Sequence, residues 1–235
     1  MKSLKEQVAE FGLSLDEEQV AHFATYQTML QEWNQRFNLT AIDDAAGIQV
    51  RHFLDSLTCA TVTGDLNGRR LIDVGTGGGF PGLPLKILYP QLRLTLVESV
   101  SKKTRFLEAL VAELGLEDVT ILDERAETVA QQEAHRAQYD WAVARAVAEL
   151  RVLVEYLLPL CRPGGRALAQ KGESARAEAE DAAEAVERLG GGRPAFHTVR
   201  LPGRDVTHYL VVVEKVAPTP DKYPRRPGRP AKRPL

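Results

Sequence analysis

Residues Leu71-Ile72-Asp73-Val74-Gly75-Thr76-Gly77-Gly78-Gly79-Phe80-Pro81-Gly82 decide how the rest of this 235-residue chain is read. Leu71 to Val74 is a short, mostly apolar run that reads as a buried strand, and it ends on a cluster of glycines. Glycine lets a ligand approach the backbone closely, and a helix that follows presents free amide N–H groups at its start. Pro81 suits a first helical turn, where its missing N–H costs nothing. The stretch reads as a strand, a ligand-binding loop and a helix.

Downstream the alternation repeats. Residues 92–98 alternate in polarity and end on Glu98, and 102–114 have helical spacing through Phe106, Leu107, Leu110, Val111 and Leu114. Short strands are expected at 119–122, 141–143 and 166–169, with a helix over 150–158. Strands alternating with helices imply right-handed crossovers and a mainly parallel sheet. Residues 174–189, rich in Ala, Glu and Arg, read as an exposed helix with a solvated face. The late strand 209–213 is expected to be antiparallel, because no helix separates it from the extended stretch 196–201. Upstream, Ser14 and Glu17 have capping-box spacing ahead of a helical pattern through Val20, Phe23, Met29, Leu30 and Trp33. A second helix is expected over 45–62. The organisation predicted is a helical extension, 1–64, an α/β domain, 65–217, and a tail, 218–235.

The hydrophobic content of 44% supports one sizeable core. No apolar run long enough to span a membrane and no secretory leader is evident, and a cytoplasmic monomer is expected. Cys59 and Cys161 lie far apart and read as buried free thiols. The five histidines lack metal-ligand spacing, so no metal is expected. Net charge is −2, but residues 216–235 hold six cations against one acid, which leaves the remainder at −7. Six of the thirteen prolines fall in the same segment, so it reads as an extended basic tail without helix.

Gly77-x-Gly79-x-x-Gly82 matches the dinucleotide fingerprint, with Glu98 at the distance of a ribose acid, and a nicotinamide-dependent oxidoreductase is one reading. In the competing register Asp73 sits beside the turn Gly75-x-Gly77. A carboxylate there repels a pyrophosphate and suits a ligand with a cationic amino-acid end. S-adenosylmethionine carries an ammonium, a sulfonium and no phosphate, which favours the Asp73 register, with Glu98 accepting the ribose hydroxyls. A noncatalytic RNA-binding protein that uses the tail is a third reading.

Several motifs carry a resemblance: Asn38-Leu39-Thr40, Arg51-His52-Phe53-Leu54-Asp55-Ser56-Leu57, Asp73 to Gly82, Arg125-Ala126-Glu127, Arg145-Ala146, Lys171-Gly172 and Tyr223-Pro224-Arg225. Together they resemble the 16S ribosomal RNA guanine-N7 methyltransferases, also called the glucose-inhibited division protein B family, over nearly the whole chain. The resemblance implies an S-adenosylmethionine-dependent enzyme acting on 16S rRNA or the small ribosomal subunit. Its fold would be a Rossmann-like, mainly parallel seven-stranded sheet with an antiparallel C-terminal strand and an N-terminal helical extension. It also implies cofactor contacts at Gly75, Phe80, Ala126, Glu127 and Arg145, beside Asp73, Gly77 and Glu98.

Guanine N7 has an exposed lone pair and no proton at neutral pH, so the reaction needs no general base. The Asn/Asp-Pro-Pro-aromatic motif of amino-group methylation is replaced here by Ala144-Arg145-Ala146. Arg145 is expected at the mouth of the site, positioning the guanine or a neighbouring phosphate; a structural ion pair is its other reading. Arg125, Lys171, Arg225 and Arg226 are candidates for RNA contact. His52 and Asp55, three apart on a helix, share a face and serve either to brace the extension or to bind RNA.

Overall fold

The computed structural model describes residues 2–203 and 205–235. The extension opens with α1 (Leu4–Ala9) and α2 (Glu17–Phe37). The cap of α2 is Asp16, not Ser14. Asp16 accepts from the Gln19 amide, while the Gln19 side chain accepts from the Asp16 amide. Asp caps as well as Ser, and Leu15, buried in the core, keeps the chain extended past Ser14. The expected second helix is broken into α3 (Ala45–Gly47), a π-helical segment (Ile48–Leu54), α4 (Asp55–Leu57) and α5 (Ala60–Thr63). The widened turns bury His52, Phe53, Leu54 and Asp55 together.

The α/β core follows as β1 (Arg70–Val74), α6 (Gly82–Leu88), β2 (Arg93–Glu98), α7 (Ser101–Glu113), β3 (Val119–Asp123), α8 (Ala126–Val129), β4 (Tyr139–Arg145), α9 (Leu150–Leu157), β5 (Cys161–Lys171), α10 (Ala175–Asp181), α11 (Ala183–Arg188), β6 (Ala195–Val199) and β7 (His208–Glu214). The seven strands form one sheet in the order β3-β2-β1-β4-β5-β7-β6. All pairings are parallel except those of β7, which runs antiparallel to both β5 and β6. The chain reverses direction in the sheet at β1, between β2 and β4, and a crevice at the carboxyl ends of the strands follows from that switch.

Side chains of β1 alternate between two apolar layers. Leu71 joins the layer built by the extension, α6 and α7, whereas Ile72 and Val74 join the layer under α9, α10 and α11. The predicted solvated helix over 174–189 is corrected here. It is two helices, and Ala175, Ala179, Ala182, Ala185, Val186 and Leu189 form a buried stripe against α9. Alanines between glutamates look neutral in composition, which hid the helical period. Both cysteines are buried, and burial pushes the Cys161 thiol up to about 12. No helix among the described residues is long and apolar enough to cross a membrane.

The C-terminal segment is not a free, extended tail. Tyr223 is buried, the Arg136 guanidinium donates to the Tyr223 and Thr219 carbonyls, and Arg225 meets Glu155 of α9 through both its backbone and its guanidinium. The chain then makes a short helix, α12 (Arg229–Lys232). Pro230 stands in its first turn, where proline costs nothing, so the prolines shape the segment without excluding a helix.

Glu155 is fully buried and Arg225 is its only ion-pair partner among the described residues. Removing one member of a buried pair leaves an uncompensated charge, at about 3 kcal/mol. Arg225→Ala is predicted to lower the unfolding free energy in urea by about that amount; a loss below about 1 kcal/mol contradicts the assignment.

Candidate active site

The loop between β1 and α6 is organised from below by Asp73. Its Oδ2 accepts from the Thr76 hydroxyl at 2.6 Å and from the Gly82 amide at 2.8 Å. Gly82 is required there, since a Cβ would stand 2.9 Å from that same oxygen and 2.8 Å from Leu96. Asp73 is wholly buried and its Oδ1 has no partner; burial raises its pKa to about 6, against the hydrogen bonds from Thr76 and Gly82. The sequence reading put Asp73 beside the ligand. The structure puts it beneath the loop, from which it sets the loop's shape.

All but one of the loop amides from Gly75 to Phe80 are already engaged, Gly78 being the exception. Gly75 and Thr76 donate to the Val97 carbonyl, Gly79 and Phe80 donate to the Thr76 carbonyl, and Gly77 donates to Glu98 at 3.1 Å. The start of α6, where a dinucleotide would seat its pyrophosphate, holds the Asp73 carboxylate instead. A phosphate has no free amide cradle here.

Glu98 ends β2 and its carboxylate is fixed by the amides of Gly77, Ser99 and Val100, with Lys103 at 3.7 Å. It lines a crevice of about 250 Å³ with Gly75, Arg125, Ala126 and Glu127. Glu124 also lines it, so three acids and one arginine line the opening. Gly75 has φ +67°, and a Cβ on it would meet Val147 at 2.7 Å, closing the crevice from β4's side. Such a wall suits a cationic, phosphate-free ligand with ribose hydroxyls, which is the chemistry of S-adenosylmethionine.

Residues 146–148, just after β4, separate this crevice from a second cavity of about 440 Å³. Ala146 holds a left-handed conformation at φ +55°. The second cavity is lined by Arg51, His52, Asp55, Arg145, Lys171 and His208, among others. Arg145 donates to Asp55 at 3.0 Å, to the Arg51 carbonyl at 3.0 Å and to His52 Nδ1 at 3.2 Å, and its guanidinium lies 4.9 Å over the Phe80 ring. His52 Nε2 meets the Thr40 hydroxyl at 2.8 Å. Burial, helped by the Arg145 charge, lowers the His52 pKa to about 4, so the ring is neutral near pH 7. Burial also opposes the charge on Asp55, but the His208 hydrogen bond and Arg145 outweigh it and hold the carboxyl below its usual range.

Residues distant in sequence thus meet at one place. The expected pairing of His52 with Asp55 on one face is present, and that face is clamped to the end of β4. Phe80 lies away from the crevice, stacked between Tyr26 and His52 in the core of the extension. Tyr26 donates to the Gly78 carbonyl, tying α2 to the loop. Glu127 is buried and accepts from the Gly228 amide at 2.8 Å. Lys171 pairs with Glu178 at 2.6 Å and donates to the Ala148 carbonyl, so it holds the partition between the two hollows. Arg225 is spent on Glu155, whereas Arg125 and Arg226 are exposed. Sequence reasoning missed Tyr26, Glu178 and His208. None lies at a motif spacing from its partner, and His208 stands 153 positions from Asp55. Among the described residues no cluster of His, Cys, Asp or Glu is arranged to hold a metal ion.

Comparison with known proteins bears on this geometry. A family described as rRNA small subunit methyltransferase G matches residues 19–206. A "Ribosomal RNA small subunit methyltransferase G" of Roseiflexus castenholzii is 55% identical, covering 96% of this chain and 95% of its own. One of the same name from Alkaliphilus metalliredigens is 47% identical, covering 99% and 97%. Among solved structures, a SAM-dependent O-methyltransferase of Thermotoga maritima shares the fold, with a TM-score of 0.54 and 17% identity over 81% of this chain and 72% of that one.

Asp73 supplies a pH prediction. Its folded pKa lies above the unfolded value, so the folded state holds the proton more tightly and stability falls as pH rises from about 4 to about 6. Asp73→Asn keeps an oxygen for Thr76 and Gly82 and removes the buried charge. Its stability relative to the native protein is predicted to rise by roughly 2–3 kcal/mol between pH 4 and pH 7, read from urea unfolding. A pH-independent difference contradicts the assignment.

Proposed function

Because this chain belongs to the rRNA small subunit methyltransferase G family, we propose that it transfers the methyl group of S-adenosylmethionine to N7 of a guanine in 16S rRNA. The observation that carries the reading is the acid-lined crevice beside a loop most of whose amides are already occupied, set next to a cavity walled by Arg145 and Lys171. The protein works as a monomer in the cytoplasm, on the rRNA or on the small subunit.

S-adenosylmethionine supplies an electrophilic methyl carried on a sulfonium. Glu98, held by the Gly77 amide, would accept hydrogen bonds from the ribose hydroxyls, and Gly75, Ala126 and Glu127 form walls that would hold the donor. Asp73 acts at one remove, as a positioning residue for the loop. The cavity beyond residues 146–148 receives the base. No side chain there has to remove a proton, because N7 presents a lone pair. Both ring nitrogens of His52 are engaged, one by Thr40 and one by Arg145, which fits a positioning role. Arg145, held by Asp55 and the Arg51 carbonyl, orients the guanine or its phosphate at the cavity wall. Orientation of this kind is worth roughly 7–11 kcal/mol when the reacting atoms are held in line.

The test is transfer of labelled methyl to small-subunit rRNA, naked and in the subunit, with the modified base mapped. Label at guanine N7 is the expected result; label only at an exocyclic nitrogen or a ribose overturns the assignment. Arg145→Ala is expected to lower kcat/KM for RNA by at least about a hundredfold, with S-adenosylmethionine affinity little changed. Glu98→Gln is expected to weaken S-adenosylmethionine binding by about thirtyfold, the equivalent of one charge-assisted hydrogen bond.

A further inference from the structure

The C-terminal segment carries most of the chain's local excess of positive charge, and the structure shows which of its cations are free to act. Arg225 is consumed by the buried Glu155. Lys222 leans over the Tyr223 ring. Arg226, Arg229, Lys232 and Arg233 are all exposed, and none of the four has an acidic partner among the described residues. They converge on one open cavity of about 350 Å³, whose other walls are Pro227 and Gly228. Four unpaired cations around one hollow repel each other, so the arrangement costs stability and calls for an anionic occupant.

The hollow is held rigidly to the catalytic domain. Arg225 anchors its entry on α9, the Gly228 amide is bound by Glu127, and Pro230 is buried. The same turn reaches the crevice, where Ala231 of α12 forms part of the wall together with Gly75. The cation cluster therefore stands at the edge of the crevice assigned to the methyl donor. The walls of that crevice are acidic, so an anion is drawn to the cluster and repelled from the crevice itself. A polyanion lying across this face would meet the cations on one side and present a base toward the cavity at Arg145.

We propose that Arg226, Arg229, Lys232 and Arg233 form a folded phosphate cradle that grips the backbone of the substrate RNA beside the reaction centre. This rests on the rRNA reading of the function and deepens it by assigning the backbone contact to a docked structural element. The cradle holds phosphates by charge and leaves sequence to the cavity, so its contribution is independent of base identity.

The experiment compares the full-length native protein with an R226Q/R229Q/K232Q/R233Q variant, using a fragment of small-subunit rRNA as the probe. Binding is measured between about 50 and 200 mM salt, a range over which phosphate contacts lose their affinity. A control variant, R93Q/R166Q/R193Q, removes exposed cations that lie toward the amino ends of β2, β5 and β6, away from the carboxyl ends that form the crevice. Two phosphates held by the cradle predict that its variant loses about 1.4 from the log-log salt slope. RNA affinity is expected to fall at least about tenfold at the lower salt, with the control close to native. S-adenosylmethionine affinity, measured in parallel, is expected to stay native in both variants, and the cradle variant, relieved of its charge repulsion, is expected to unfold at or above the native temperature. A native protein that methylates rRNA, together with a cradle variant of unchanged affinity and slope, overturns the cradle and leaves the function standing. A native protein that neither binds nor methylates rRNA overturns both.

Discussion

A single buried carboxylate governs this site. Asp73 sits at the end of the central strand with the hydroxyl of Thr76 and the first amide of α6 on one of its oxygens. Burying a charge costs several kcal/mol unless it is hydrogen-bonded, and the raised pKa of Asp73 records how much of that cost is left. The carboxylate occupies the helix start that would otherwise attract a phosphate, and it fixes the loop in a shape that spends most of its remaining amides internally. Everything above the loop then follows a different electrostatic logic from that of a dinucleotide site. The wall is acidic, the ligand it suits is cationic, and the anionic partner is met further out by the C-terminal cations.

The extension completes the site from the other side. Its widened helical turns bring His52 and Asp55 onto the end of β4, where Arg145 joins them, and Tyr26 reaches the glycine loop from α2. The cavity proposed to receive the base is thereby built from three distant parts of the chain, at 40–55, 145–146 and 170–208. The arrangement is rigid rather than acid-base active: His52 is neutral with both nitrogens engaged, and Asp55 is held charged by its neighbours. That is what an alkylation needing orientation and no proton transfer asks of its side chains.

The alternation of strands and helices, the glycine loop and the antiparallel last strand were legible because each is written in local periodicity and turn chemistry. Glu98 was legible as a candidate because it stands at the carboxyl end of a strand, where ligands of open α/β sheets bind, whereas Arg145 was legible through the Arg145-Ala146 motif that carries the family resemblance. What stayed hidden was either locally ambiguous or non-local. The Ala175 to Leu189 stripe was masked by the neutrality of alanine, and the cap on Asp16 competed with an equally good one at Ser14. The docking of the tail depends on Glu155, an acid in the middle of an apolar helix whose only signal was its misplacement. His208 and Glu178 reach the site through pairings that no spacing encodes.

The most direct measurement of the central claim, that the Asp73-organised loop selects a cationic, phosphate-free cofactor, is calorimetric binding of S-adenosylmethionine and of NADH to the native protein near neutral pH. Saturable one-to-one binding of S-adenosylmethionine with no heat from NADH is the result this account predicts. Binding of NADH in the crevice, with S-adenosylmethionine failing to displace it, would contradict it.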